Sequence, residues 1–294
     1  MTFNPLALVQ DINTDELTDF ILEGGSGKRG LRPQGDALAV LTGFIELGKQ
    51  PDSHLGKAKA PCPKYQLIFT IVGGIGVNEQ NEEVPFVDAG GKDVWVQRAT
   101  NAKGGDLAAR TKQFTALSRA STIRDKASIK SFAHLLGQVF TIPVVHNEGK
   151  DGKTYANLLI ENASAAPKDP RTRQPMQVWY DLDGTEIPFA ELTAEDYKLF
   201  LWQKPTSMTT EQYKACWDSL YVEGVWEAKT AQDGTKIPAQ SKNKIQETIL
   251  AATDYKGSSL DHLLGGTSEL PSLETIDSKP ELPDVPADED DIAF

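Results

Sequence analysis

Several things are scarce in this 294-residue chain, and each scarcity removes a class of protein. There are two cysteines, Cys62 and Cys216, far apart and in no CxxC arrangement. Neither a disulfide framework nor a zinc site is indicated, and both are expected as reduced thiols. The four histidines, His54, His134, His146 and His262, are scattered and form no HExxH motif. Gly-x-Ser-x-Gly is absent, and the only clustered carboxylates lie in a tail that cannot hold a reacting group in place. The chain is therefore read as a non-enzyme that needs no cofactor and no metal. No run of about 18 apolar residues exists to span a bilayer, and the opening MTFNPLALVQDINTDE lacks the basic and apolar regions of a signal peptide. No membrane partner and a cytoplasmic location are expected. At 39% hydrophobic residues there is still enough to bury a sizeable core.

Positive charge is also missing from the whole-chain sum, which is −12. The sum conceals a partition. Residues 1–23 carry five acids and no lysine or arginine, 24–173 carry 21 basic against 14 acidic side chains, 174–260 carry eight against 13, and 261–294 carry ten acids and one lysine. A body of net +7 thus stands beside a tail of net −9. A basic body is the electrostatic footprint of a protein that binds polyanions.

Along the chain, FILEGGSGKRGLRPQGD is rich in glycine and base and offers Lys28, Arg29 and Arg32. It is not a Walker A loop, because Leu22 and Arg29 occupy the positions that need Gly and Ser or Thr. From Asp36 the pattern is that of strands: DALAVLTGFIELG, YQLIFTIVGGIGV and VPFVDAGGKDVWVQR are dense in β-branched and aromatic residues and cut by Gly or Pro. KQPDSHLGKAKAPCPK, between the first two, reads as a loop bearing Lys49, Lys57, Lys59 and Lys64. Asp106 caps a helix through LAARTKQFTALSRA, and Ile129, Phe132, Ala133 and Leu136 recur at the spacing of one buried helical face. GQVFTIPVVHN and KTYANLLIEN then flank EGKDG, a hairpin turn.

Three strands, a helical insertion and a hairpin is the order of an oligonucleotide-binding (OB) fold. The expected fold class is mainly β with α: a five-stranded OB-fold barrel over residues 36–190 with a helical insertion between strands 3 and 4. An N-terminal arm and basic loop (1–35) precede it, and a helical extension packed on the barrel (191–256) and a disordered acidic tail (257–294) follow. MQVWYDLDG reads as one further strand of the barrel. In the extension, Thr193 before AEDYKLFLWQ and Thr209 before TEQYKACWDSLY are N-caps, NKIQETILAAT is a third helix, and Trp202, Trp217 and Trp226 supply the core.

Between Arg98 and Lys130, eight cations oppose Asp106 and Asp125. The loops of an OB barrel rim one groove. The candidate phosphate contacts are therefore Lys28, Arg29, Arg32, Lys57, Lys59, Lys64, Arg98, Lys103, Arg110, Lys112, Arg119, Lys150 and Lys153. Tyr65, Trp95, Tyr155 and Trp179 are candidate stacking rings, and each is equally a candidate for the core. One stacked base contributes ~1 to 3 kcal/mol whatever its identity.

The C-terminal residues are PADEDDIAF, in which Asp288, Glu289, Asp290 and Asp291 run into Ile292, Ala293 and Phe294. DEDDIAF resembles the C-terminal tip of bacterial and phage single-stranded DNA-binding proteins, where acids precede Ile-Pro-Phe or a bare terminal Phe. GKDGKTYANL is similar to a hairpin of OB-fold proteins from tailed phages. Ala293 stands where the bacterial forms have proline, and 190–256 has no counterpart in them, which favours a phage member. The resemblance implies a replicative protein of the bacterial host's cytoplasm that coats, protects and unstructures single-stranded DNA. It also implies that Asp288 to Asp291, Ile292 and Phe294 dock replication proteins such as polymerase, helicase or primase. Without DNA the same acids would occupy the basic groove, so duplex DNA is expected as a partner once the tail is removed. Two rivals stay open: an OB-fold module for duplex DNA or RNA, and a nuclease or recombination enzyme with a site assembled from distant residues.

Overall fold

The computed structural model describes residues 31–54, 57–97, 105–149, 152, 154–230 and 236–266. β1 (Gln34–His54) and β2 (Lys57–Gly73) form one antiparallel pair from Leu38↔Gly73 to His54↔Lys57. Register shifts near Gly43, Lys49 and Asp52 bend the pair. Residues 49–64 are thus not the predicted loop but the distal half of a two-stranded arm. They hold few apolar side chains, so the alternation that marks a strand is missing while the cross-strand hydrogen bonds remain. The irregular backbone at the arm's base finds its partners in the C-terminal segment: Lys49 N–H donates to Asp254 Oδ1 at 2.6 Å, and Thr253 N–H donates to the Lys49 carbonyl at 2.8 Å.

VPFVDAGGKDVWVQR, read as one strand, is two. β3 (Ile75–Val77) pairs with β4 (Glu83–Pro85), a turn closed by Gly91 N–H on the Asp88 carbonyl intervenes, and β5 (Asp93–Gln97) then pairs with β2. The expected helix, α1 (Gly105–Ala120), follows, with Asp106 inside its first turn and not at its cap. Ile129, Phe132, Ala133 and Leu136 are all buried, but Phe132 and Ala133 lie on one 3₁₀ turn while Ile129 and Leu136 end two separate turns, since Asp125 and Ser131 each cap a fresh turn and stop a continuous helix. β6 (Val139–Glu148) runs back along β1 from Val40↔Val139 to Gly35↔Val144. β7 (Thr154–Leu158) and β8 (Ser164–Ala165) lie on its outer edge.

The fold is mainly β with a few helices, and its sheet follows the order β5-β2-β1-β6-β7. Among the described residues no ladder joins β7 to β5, so the expected closed barrel is replaced by an open sheet. The 3₁₀ turn Ile160–Asn162 after β7 packs on α1 and leads the chain away before it reaches β5.

The remaining segments cover the sheet. β9 (Val178–Tyr180) and β10 (Glu186–Pro188) pair with each other instead of extending the sheet. Trp179 anchors this hairpin by lying on Gly73, where a Cβ would come within 2.4 Å of the ring. Thr193 and Asp196 form a capping box around one 3₁₀ turn, but the predicted helix stops there. β11 (Lys198–Phe200) instead pairs in parallel with Gly43–Ile45, whose edge β6 leaves bare beyond Val40. α2 (Thr210–Asp218) has the expected Thr209 cap, and α3 (Lys244–Leu250) is the predicted third helix. Trp226 is 50% exposed on a two-stranded ribbon, Val225–Trp226 against Gln240–Ser241; only Trp202 and Trp217 of the predicted trio are buried. α4 (Ser259–Leu263) buries Leu260, so packed structure continues into the stretch assigned to the tail.

One continuous core runs from Ala37 to Leu260. Phe44, Tyr65 and Phe132 meet at centroid distances of 5.7, 5.9 and 5.0 Å, and Phe200 meets Tyr213 and Trp217 at 5.5 and 5.7 Å. The buried Glu46 carboxylate accepts the Trp202 N–H at 2.7 Å, which fixes the chain leaving β11 to β1. Among the described residues no helix is long and apolar enough to cross a membrane.

Candidate nucleic-acid interface

Register decides where the predicted cations lie. β6 starts opposite Val40 and its later residues pair toward Gly35, so the β6–β7 turn lies beyond the start of β1 while the β1–β2 turn lies beyond its end. The two basic turns stand at opposite ends of the sheet. On the arm, Lys49 and Lys59 are exposed; Lys64 is half-buried and its Nζ donates to the Pro51 carbonyl at 3.3 Å. On α1, Lys112 and Arg119 are exposed seven residues apart on one face, while Gln113, Ala116, Leu117 and Ala120 are buried.

The rings divide. Tyr65 is 1% exposed inside the aromatic cluster, and Trp95 and Trp179 are also buried, so these three fill the core instead of offering a face to a base. Tyr155 is 44% exposed on β7, where alternation turns Leu158 inward and Tyr155 outward. Arg32 is not free either. Its Nε donates to Asp93 Oδ2 at 2.6 Å and Nη2 to Oδ1 at 3.1 Å, and the guanidinium lies 4.2 Å from the Trp95 ring centroid. His146 Nε2 hydrogen-bonds the Arg32 carbonyl at 2.7 Å, so residue 32 clasps β5 to β6. Lys28, Arg29, Arg98, Lys103, Lys150, Lys153 and the tip residues Asp288, Glu289, Asp290, Asp291, Ile292 and Phe294 lie outside the described residues, as do the side chains of Lys57 and Arg110.

A cleft of about 480 Å³ opens between the sheet and the segment that follows β10. Val40, Val72 and Val139 form its floor, and Phe189, Leu192 and Tyr197 line it from the segment after β10. Gln177 and Glu191 stand among these apolar groups, so the lining is mixed. Burial, with Asp196 adding to it, pushes the Tyr197 phenol above its usual range, so the hydroxyl stays a donor at neutral pH. Lys92 holds the segment in place through Asp196 at 2.6 Å. Burial alone would raise the Asp196 pKa; hydrogen bonds from Lys92 and the Thr193 N–H outweigh it and leave the carboxyl below its usual range.

Several exposed groups escape the sequence reading. Tyr180 is an open ring, and Lys168, Arg171 and Arg173 are exposed between β8 and β9. The signal was available in KDPRTR, three cations within six residues around a proline, and in Tyr180 as the strand neighbour of a core tryptophan. Both cysteines are buried and neither is in a disulfide, and burial pushes the Cys216 thiol up to about 12, which keeps it protonated and inert. Among the described residues no three His, Cys, Asp or Glu side chains gather where they could hold a metal ion. In comparison with known proteins, the sequence matches no family model and no curated protein.

Proposed function

We propose that this chain binds single-stranded DNA without sequence preference and coats it during phage replication. Strand order carries the reading: β5-β2-β1-β6-β7 with α1 between β5 and β6 is compatible with the 3-2-1-4-5 order of an OB fold without its closing ladder. OB folds bind oligonucleotides on the face of strands 2 and 3 and with the loops joining strands 1–2 and 4–5. The exposed Lys49 and Lys59 of the β1–β2 arm, the cleft over β1, β2 and β6 and the exposure of the Tyr155 side chain support that use. Lysines on phosphates release counterions, while rings and cleft accept any base, so the activity is binding alone. Residues 267–294, with nine acids against one lysine, compete with DNA for the same cations. The tip from Asp288 to Phe294 docks replication proteins.

Anisotropy of labelled dT oligomers tests the reading. Three to five phosphate contacts give a log–log salt slope of roughly −2 to −4, and a flat slope removes the electrostatic groove. Replacing Lys57, Lys59 and Lys64 together by Ala should weaken binding and flatten the slope. Duplex DNA binding as tightly as dT would favour the duplex rival.

A further inference from the structure

Cations crowd where α1 ends and where the β8–β9 loop passes it. Arg124, Lys126 and Lys130 lie on one side and Lys168, Arg171 and Arg173 on the other, all exposed. Among the described residues none of the six makes an ion pair. Two acids are interspersed, and both are engaged by backbone. Asp125 Oδ1 accepts the Ala127 N–H at 3.0 Å, and Asp169 Oδ1 accepts those of Arg171 at 2.8 Å and Thr172 at 2.6 Å. The loop is closed further by Arg173 N–H on the Asp169 carbonyl at 2.8 Å, by Asp169 N–H on the Gln174 carbonyl at 2.9 Å, and by a bridge between Lys168 and Pro175. Arg173 turns through φ 57°, a left-handed conformation held by these bonds. The loop is a preformed basic knob whose one carboxylate bonds the backbone and makes no ion pair with its three cations.

Lys126 adds to the knob. Its ammonium donates to the Ser121 carbonyl at 2.7 Å and to Ser121 Oγ at 2.9 Å, and its pKa is lowered by desolvation and then by the nearby Lys168 ammonium, so two like charges are held close. An anion from outside relieves that repulsion. A ring stands beside the cations. Trp179 points inward onto Gly73, so its neighbour Tyr180 points out; it is 49% exposed and lies near enough to Asp169 to sense its charge. Its hydroxyl donates to Glu186 at 3.2 Å, which fixes the ring and leaves a face open. The same β9–β10 hairpin reaches the cleft through Pro188.

We infer that the 168–175 loop, Lys126 and Tyr180 form a second contact surface for single-stranded DNA, with the cations on phosphates and the Tyr180 ring stacked on a base. The inference rests on the single-strand binding proposed above and extends the path of the strand from the cleft over the β9–β10 hairpin. A strand just long enough for the arm and cleft does not reach this surface; a longer one does.

The test uses the full chain and dT oligomers of about 6 and about 30 nucleotides, within and beyond the site size of one OB fold. Replacing Lys168, Arg171 and Arg173 together by Ala should lower affinity for the long oligomer about tenfold. It should also make its salt slope shallower by about 2, near 0.7 for each lost phosphate contact, with the short oligomer unaffected. Tyr180→Ala should lower long-oligomer affinity about fivefold or more, while Tyr180→Phe, which keeps the ring, should bind as the parent does. Unchanged affinity and slope for the long oligomer in the triple variant, with normal binding by the parent protein, overturns this surface alone. Equal losses at both lengths also overturn it, since the loop would then belong to the first site. A parent protein that binds neither oligomer overturns the proposed function as well. Should the triple variant unfold, the Tyr180 Phe and Ala pair decides: equal affinities overturn the stacking surface.

Discussion

The Arg32 region and the 168–175 loop contain the same kinds of residue in opposite arrangements. Around Arg32 the carboxylate of Asp93 grips the guanidinium at 2.6 and 3.1 Å, and the ring of Trp95 is buried beneath it. In the loop the carboxylate of Asp169 turns away from Arg171 and Arg173 to the backbone N–H groups, and the neighbouring Tyr180 ring is open. The difference lies in what each aspartate can reach. Asp169 sits in a tight turn and bonds the N–H groups two and three residues on, a local closure that orders little extra chain. Asp93 sits in a strand whose own backbone is occupied by β2, so its partner comes from across the sheet. The guanidinium of Arg32 is thus tied in an ion pair, while Arg171 and Arg173 make none among the described residues.

The largest expected effect removes the platform under one side of this comparison. Trp179→Ala takes the ring off Gly73 and should cost about 3 to 5 kcal/mol in urea unfolding, with the Tyr180 surface lost alongside it. A cost under about 1 kcal/mol would mean that the hairpin is not anchored there.

Next, Arg32→Ala should cost about 1 to 2 kcal/mol by breaking a partly buried ion pair and ring contact, yet leave the salt slope for dT unchanged. A shallower slope would make Arg32 a phosphate contact and break the comparison. Cutting the chain after Gly266, which preserves α4, removes nine acids and one lysine. Affinity at low salt should rise severalfold, and less so when Lys168, Arg171 and Arg173 are already Ala, because free cations are what the acids compete for. The smallest effect is local: Asp169→Ala should speed amide exchange at Arg171 and Thr172 with little change in unfolding midpoint. Unchanged protection would show that the loop is ordered by something other than its acid.

Elements with a clear period were legible from sequence. β1, β2, β6 and β7 announce themselves by β-branched and aromatic residues, and α1 and α2 by the capping residues near their starts. The distal arm was not legible, because polar strands bond as well as apolar ones but carry no alternation. KLF read as helix because it follows a capping signal, while a bare edge at Gly43–Ile45 made it a strand. Within the candidate interface, Lys59, Lys112, Arg119 and Tyr155 are exposed as a binding role requires. Tyr65, Trp95 and Arg32 are engaged inside the fold, and nothing in their immediate neighbours distinguishes them from the exposed set.

What the sequence by itself determined is therefore local: the kind of each periodic element, its caps, and the division of the chain into a basic body and an acidic end. Those properties depend on residues a few positions apart, where spacing and side-chain chemistry act directly. Tertiary structure alone decided which rings are covered and which cations are unpaired. Arg32 meets Asp93 from 61 residues away, and Trp179 covers Gly73 from a separate hairpin. Burial and ion pairing depend on which strands become neighbours, and that choice is made by the whole sheet competing for hydrogen-bond partners and apolar cover.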